Sequence, residues 1–155
     1  MLPIATALIA TAASGQTAGM LDARTAQAIV AGCAAHALAK QQSQAIAVVD
    51  TGGKLVAALR MDGNGSGSID FAIKKAEAAA AWGFSTTDMA VAVKERVPGF
   101  ANAPNVVTVG GGLPIWSADG KARIGAIGIS GEREADDVDC AEAGVRAAGL
   151  RTTQG

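Results

Sequence analysis

The loop "RMDGNGSGSIDFAI", residues 60–73, spaces side-chain oxygens in the way that a calcium-binding loop does. Asp62, Asn64 and Ser66 stand at alternate positions, and a glycine occupies the sixth position, where such loops turn sharply. The twelfth position should then be a Glu, because its bidentate carboxylate supplies two of the oxygens around the ion. That position is Ile73, which offers no oxygen. The sequence therefore favours a Gly-rich turn whose Ser and Asp cap the next helix over a calcium site.

Two other features of the sequence suit an anionic ligand. Gly110, Gly111 and Gly112 lie between two predicted strands and lack the Lys-Ser/Thr of a phosphate-binding P-loop. Such a run either lets backbone amides approach a ligand closely or forms a plain bulge or sharp turn. Arg60, at the end of an earlier predicted strand, can add a charge-assisted hydrogen bond to a carboxylate.

The sequence offers few catalytic acids, bases and nucleophiles. His36 is the only histidine, so a His-pair zinc site is excluded, as is any His-dependent triad that does not use this residue. A lone histidine in a helix is more often solvated or packed in the core than bound to a ligand. Lys74 and Lys75 can serve as an amine nucleophile or an anion clamp if one faces a cleft, while a solvated helix face is the simpler alternative.

No metal site is predicted. Cys33 and Cys140 show no CxxC or Cys/His spacing. They are either small buried hydrophobic residues or, in an oxidising compartment, a disulfide pair, and the sequence leaves both open. Carboxylates crowd the start of the last predicted helix, where the positive end of the helix dipole explains them better than a divalent metal does. They are Glu132, Glu134, Asp136, Asp137 and Asp139.

The composition indicates one domain that associates with copies of itself. The chain has 155 residues, of which 50% are apolar and 17% charged, so part of the surface is expected to be buried in an oligomer. A net charge of −1 without any run of Lys or Arg argues against nucleic-acid binding. Residues 1–20 form an N-terminal extension or a signal-like segment that is too short to span a bilayer. The protein is accordingly periplasmic or secreted if this segment is a signal, and cytoplasmic otherwise.

The elements that must position these residues alternate in the order α-β-β-α-α-β-β-β-α. Hairpin signals rather than helical crossovers join the strands, which predicts an α+β domain with a mostly antiparallel five-stranded sheet and flanking helices. The domain is assigned to residues 21–150, followed by a polar tail over residues 151–155. The helix over residues 21–40 is capped by Asp22, and the helix after the Gly-rich loop is capped by Ser68 and ended by Gly83. The strands are predicted over residues 45–50, 54–61, 106–109, 113–117 and 122–130.

The motifs taken together resemble one known family. "IAVVDTGGKLVAALRMDG", "GSIDFAIKKAEAAA", "VGGGLPIW", "IGAIGISG" and "ADDVDCAEAGV" follow one another in the order found in the GlcG/HbpS (DUF336) family of haem-binding and glycolate-operon proteins. The resemblance covers roughly residues 21–150. It implies an antiparallel sheet flanked by helices, homo-oligomers that can reach octamers, and binding of haem or a related tetrapyrrole in some members. Some haem-binding members place an important histidine in the first helix, which makes His36 the candidate axial ligand of a haem.

Two functions follow from the resemblance and the residues. The first is a small-ligand-binding protein, with haem or another tetrapyrrole as the leading ligand and pockets formed between subunits. The second is a catabolic enzyme acting on a small carboxylated compound, in which Arg60 holds the anion and Lys75 or Asp62 moves a proton. The sequence does not decide between them, because both use the same residues. The residues expected to bind the ligand are Arg60, Met61, Asp62, Gly110, Gly111, Gly112 and Pro114.

Overall fold

The computed structural model describes residues 19–155, so nearly all of the signal-like segment predicted over residues 1–20 lies outside the described part. Within residues 19–155, no helix is both long and apolar enough to cross a membrane. The elements are α1 (Ala23–Ala39), β1 (Ala45–Asp50), β2 (Leu55–Arg60), α2 (Ser66–Trp82), α3 (Thr86–Glu95), a 3-10 helix (Pro98–Asn102), β3 (Gly112–Trp116), β4 (Arg123–Ser130) and α4 (Glu134–Ala147).

The strands form one antiparallel sheet in the order β2-β1-β4-β3, which confirms the predicted α+β class. The described sheet has four strands, so the prediction of five was wrong. Residues 106–109 form no strand, although they are rich in valine. The outer edge of β3 is already occupied, because Gly112 N–H donates to Thr86 Oγ1 (2.9 Å) and Trp116 pairs with Arg151. The valine pattern reflects partial burial rather than strand pairing.

Helices cover both faces of the sheet. On one face, α1 and α4 pack over a core of large aliphatic side chains that includes Ile29, Ile46 and Ile127. On the other face, α2 packs through small residues such as Ala72 and Ala76. The abundance of Ala and Gly thus allows α2 to lie very close to the sheet.

The helix ends follow the predicted caps with one exception. Asp22 caps α1 by accepting a hydrogen bond from Thr25 N–H (2.8 Å), and Gly83 ends α2 in the left-handed conformation (φ 77°). The cap predicted at Ser68 was wrong, because α2 begins earlier and its N-cap is Gly65, which has no side chain to accept a bond. The Gly-rich loop is therefore shorter than the sequence indicated.

A disulfide joins the two helices on the same face of the sheet. Cys33 of α1 and Cys140 of α4 are bonded, with their Cα atoms 4.8 Å apart, and both are fully buried. The sequence left open whether these cysteines are free or bonded to each other, and in the structure they form a disulfide. A link across 107 residues is expected to stabilise the fold by about 4–5 kcal/mol, mainly by restricting the unfolded chain.

Candidate functional site

Most of the predicted site residues lie at one end of the sheet, which we call the polar end. At this end, Arg60 of β2 lies opposite Ala45 of β1, and Ala45 lies opposite Ser130 of β4. The Gly110–Gly112 turn reaches the same end but lies at the opposite edge, three strands away from Arg60. At a strand spacing of about 4.8 Å, this separates the two features by roughly 14 Å.

The centre of the polar end is a buried ion pair. The Nζ of Lys75, on α2, lies 2.9 Å from the carboxylate of Asp137, on α4, and 2.8 Å from the carbonyl oxygen of Ile129. The same Nζ lies 4.9 Å above the ring centroid of Phe71. Lys75 is 1% exposed. The ammonium group is enclosed by these three protein groups. The Lys75–Asp137 pair, which we call the clasp, therefore connects α2 and α4, the helices on opposite faces of the sheet, at the end of the sheet.

The Gly110–Gly112 turn is shaped around this clasp. Gly111 has φ +115°, and a Cβ atom there would lie 3.0 Å from Lys75 Nζ and 2.6 Å from the carbonyl oxygen of Ile129. The amide of Gly110 donates to Glu134 Oε2 (2.7 Å), just as Gly112 donates to Thr86. Two of the three backbone amides therefore donate hydrogen bonds within the subunit. The absence of side chains on the glycines allows the chain to pass close to Lys75.

The acidic start of α4 is occupied by internal contacts. Each carboxylate predicted for this region has a partner in the structure, and residues 19–155 hold no group of three or more His, Cys, Asp or Glu side chains arranged for a metal ion. The partners are Ser43 N–H for Glu132, Gly110 N–H for Glu134, Arg133 for Asp136, Lys75 for Asp137 and Lys40 for Asp139.

Two neighbouring aspartates of this segment titrate in opposite directions. Burial raises the pKa of Asp137 above its usual value, and the hydrogen bond and charge of Lys75 oppose this effect only in part. The hydrogen bond from Arg133 lowers the pKa of Asp136. The contrast follows from the partners, because Asp137 is enclosed together with the buried Lys75, whereas Asp136 pairs with Arg133, whose side chain is 86% exposed.

The loop after β2 is held by side-chain to backbone bonds rather than arranged around an ion. Asn64 Nδ2 donates to the carbonyl oxygen and hydroxyl of Ser43 (2.6 and 2.8 Å), and the Ser43 hydroxyl donates to the carbonyl of Asp62 (2.7 Å). The guanidinium of Arg60 donates to the carbonyl of Asn64. These bonds fix the corner from which Arg60 and Asp62 project into solvent.

The corner borders a groove of about 350 Å³ between the end of α1 and the end of β2, which we call the β2 groove. Its wall is mainly apolar, with Leu38 67% exposed and Leu59 39% exposed. Arg60 and Asp62 place one positive and one negative group at its rim. Its lining residues are Ala34, Leu38, Gln42, Ser43, Leu59, Arg60, Met61 and Asp62.

Other predicted site residues lie outside this groove. Pro114 lines a separate cavity of about 460 Å³ at the β3 edge, together with Phe84 and Trp116. His36 lies two residues from both Ala34 and Leu38, which is about 200° around the helix. Its Nε2 atom is buried and has no hydrogen-bond partner among the described residues. One subunit thus brings Arg60, Met61 and Asp62 together but does not bring His36, Lys75 or the glycine turn to them.

Sequence reasoning missed the apolar wall of the groove and a buried amide beside the clasp. Leu38 falls outside the buried stripe of α1, and this apolar residue at an exposed helix position was the available signal. Gln44 is fully buried, and its side chain acts on the buried Asp137 carboxylate, whose pKa it lowers against the larger effect of burial. No sequence pattern marks Gln44, because its burial depends on the packing of α4 against the sheet.

Comparisons with solved structures show the same architecture in other proteins. The crystal structure of a PduOC:heme complex is 28% identical, with a TM-score of 0.79 over 87% of this chain and 99% of that chain. The protein ORFY of Klebsiella pneumoniae is 25% identical, with a TM-score of 0.78 over 87% and 94%. A double mutant of HbpS from Streptomyces reticuli is 27% identical, with a TM-score of 0.75 over 93% and 97%. Comparison with curated proteins finds no match.

The fold and the groove define a single α+β domain with a four-stranded antiparallel sheet between helical layers and an open, partly apolar groove at one sheet edge. The family model described as haem degrading protein HbpS-like matches residues 21–146. The chain therefore belongs to the HbpS-like family, as the resemblance of its motifs predicted.

Proposed function

We propose that the protein binds a small ligand in the β2 groove and that haem or another tetrapyrrole is the leading candidate. The observation that carries this proposal is the chemistry of the groove, which combines exposed apolar side chains with the cationic Arg60 at the rim. Haem combines an apolar ring with carboxylate groups, so the two patterns match. Membership of the HbpS-like family and the similarity to PduOC, which was crystallised with heme, support the same ligand class.

The residues that would hold the ligand follow from the geometry. Leu38, Leu59 and Met61 would contact its apolar part, because burying their exposed surface is favourable. Arg60 would bind a carboxylate through a charge-assisted hydrogen bond, using guanidinium nitrogens that do not contact Asn64. The volume of about 350 Å³ lies near the lower limit for small-molecule sites, so a large ring would extend beyond one subunit.

A haem iron is usually held by His, Cys, Met or Tyr. The chain has no Tyr, and its two cysteines are bonded to each other. Among residues 19–155, this leaves His36 and the methionines, of which Met61 lines the groove. His36 offers the buried, unpartnered Nε2 but must turn towards the groove, whereas Met61 lines the groove and its sulfur accepts the amide of Gln44 (3.4 Å). His36 stays the axial candidate that the family resemblance implies, with Met61 as its competitor.

The test is a hemin titration of the purified protein followed by absorbance, with His36→Ala and Met61→Leu measured in parallel. The proposal expects a saturable, shifted Soret band near one haem per subunit. Loss of the shift in only one variant identifies the axial ligand. A spectrum that stays that of free hemin at all protein concentrations would overturn the haem proposal.

The enzymatic alternative has less support. Proton transfer by Lys75 requires contact with a substrate, and its amine is 1% exposed and held by Asp137 and Ile129. Asp62 is exposed at the groove, but no second acid or base of the β2 groove accompanies it. Catalysis on a small carboxylated compound stays a prediction from the family resemblance that no observed contact favours.

A further inference from the structure

The two edges of the sheet differ in how their backbone groups are used. At the β3 edge, the outward amide of Gly112 binds Thr86, and Trp116 exchanges hydrogen bonds with Arg151 (2.7 and 3.1 Å). Between them stands Pro114, which has no N–H group to offer. The β3 edge is therefore closed to another strand.

The β2 edge is open. Met61 N–H donates to the carbonyl of Gln44 (3.0 Å), and backbone groups alternate in direction along a strand, so those of Ala58 and Arg60 point away from β1. Within residues 19–155, no hydrogen bond reaches these outward groups. The strand "LVAALR" contains neither Pro nor Lys, which commonly block such edges, and a bulge at Val56 leaves residues 57–60 regular.

We propose that β2 pairs antiparallel with β2 of a second copy around a twofold axis at Leu59. Ala58 and Arg60 would then exchange backbone hydrogen bonds with the partner subunit's Arg60 and Ala58. The contact is self-complementary and closes on itself, so it makes one continuous sheet of eight strands with only the closed β3 edges exposed.

The charges that flank β2 favour a second copy as the occupant of this edge. Lys54 precedes the strand and Asp62 follows it, and both are exposed. In an antiparallel pair, the start of one strand lies beside the end of the other, so Lys54 of the partner subunit comes within about two residues of Asp62. The exposed Leu59 side chains meet at the axis, where their burial adds apolar contact.

This pairing would also complete the β2 groove. Leu59 lines the groove, so the grooves of the two copies would meet at the twofold axis and form one longer cavity. A ligand larger than one groove of about 350 Å³ would then contact both subunits. The pairing itself does not depend on the identity of the ligand.

Disulfide trapping without any ligand tests the proposed register. Opposite residues at the axis have Cα atoms about 4.5 Å apart, within the range of a disulfide. Leu59→Cys should therefore give a crosslinked dimer on mild oxidation, seen on a non-reducing gel. The matched control is Leu55→Cys, whose two copies would lie roughly 27 Å apart along the strands and should not crosslink. The native cysteines do not interfere, since both are buried and bonded. Crosslinking of both variants, of neither, or of Leu55→Cys alone would overturn the proposal.

Sedimentation equilibrium of Ala58→Pro provides an independent test. Pro removes an outward N–H from the β2 edge without removing a bond to β1, so the dimer dissociation constant should rise at least tenfold, with the far-UV spectrum unchanged. Ala58→Val keeps the N–H and should stay within about threefold of the wild type. Equal dissociation constants for the two variants, or a monomeric wild type, would contradict pairing through β2. Because hemin is absent from both experiments, their outcome is separate from that of the haem titration.

Discussion

Lys75 and Arg60 are both basic residues at the polar end of the sheet, and their environments are opposite. Lys75 is 1% exposed, and its ammonium group is enclosed by Asp137, the carbonyl of Ile129 and the ring of Phe71. Arg60 is exposed at the rim of the β2 groove and uses only part of its guanidinium on the carbonyl of Asn64. The same charge thus joins parts of the fold in one region and stays exposed to solvent in the other.

The difference shows that one family motif can form contacts inside the fold while another lines an exposed groove. The "VGGGLPIW" motif lies beside Lys75, and its glycines allow the chain to pass close to the buried amine. The "ALRMDG" motif ends β2, and its Arg, Met and Asp line an open groove. The two regions should therefore respond differently to mutation, the first through stability and the second through affinity.

The largest effect is expected from Lys75→Met. The variant leaves the Asp137 carboxylate buried without its partner, so the free energy of unfolding should fall by roughly 3–5 kcal/mol. Denaturant titration measures this change. Hemin affinity of the fraction that stays folded should not change, because Lys75 does not line the groove.

The neighbouring Lys74→Met is the matched control for that variant. Lys74 pairs with Glu77 at 2.7 Å on the surface, where its side chain is 65% exposed, so its loss should cost less than about 1 kcal/mol. Equal losses in the free energy of unfolding for the two substitutions would show that the buried clasp stabilises the fold no more than an exposed ion pair does.

A smaller effect, on affinity rather than stability, is expected from Arg60→Gln. Loss of a charge-assisted hydrogen bond should raise the dissociation constant for hemin about tenfold or more, while the free energy of unfolding changes by less than about 1 kcal/mol. Arg96→Gln, at the exposed C-cap of α3, removes the same charge away from the groove and should leave binding unchanged. If both substitutions weaken binding equally, Arg60 does not contact the ligand.

The smallest expected effect is a difference in titration between Asp136 and Asp137. Burial raises the pKa of Asp137 above 3.8, so just above that pH the native state holds more protons than the unfolded state. Ionisation of Asp137 therefore lowers the free energy of unfolding as the pH rises from 3.8 through its folded pKa. The hydrogen bond from Arg133 lowers the pKa of Asp136, whose contribution is present above 3.8 and is lost as the pH falls through its folded pKa.

Carboxyl-carbon NMR during a pH titration resolves these two aspartates, with Asp137→Asn to assign the buried one. Midpoints on opposite sides of 3.8 are expected. Midpoints on the same side would mean that Asp137 is better solvated than its enclosed position indicates.

Local sequence signals were sufficient for most of the fold. Asp22 and Gly83 were identified as helix ends because capping depends on residues only a few positions apart. The strand predicted over residues 106–109 is absent, and the outer edge of β3 is used by Thr86 and Arg151 instead. Such competition between distant segments leaves no trace in a short stretch of sequence.

The sequence by itself determined the α+β class, the antiparallel hairpins and the family, because periodicity, turn residues and ordered motifs are local properties of the chain. Only the tertiary structure decided which of two adjacent lysines is buried, that Cys33 and Cys140 meet, and that Arg60 and Pro114 border different cavities. Adjacent helix residues point about 100° apart, and Lys74 and Lys75 lie on opposite sides of the apolar stripe Ile69, Ile73, Ala76 and Ala80 at similar angles from it. Helix periodicity therefore does not tell which of the two lysines is buried. The burial of Lys75 depends on Asp137, which lies 62 residues away along the chain and reaches it only when α4 packs across the sheet.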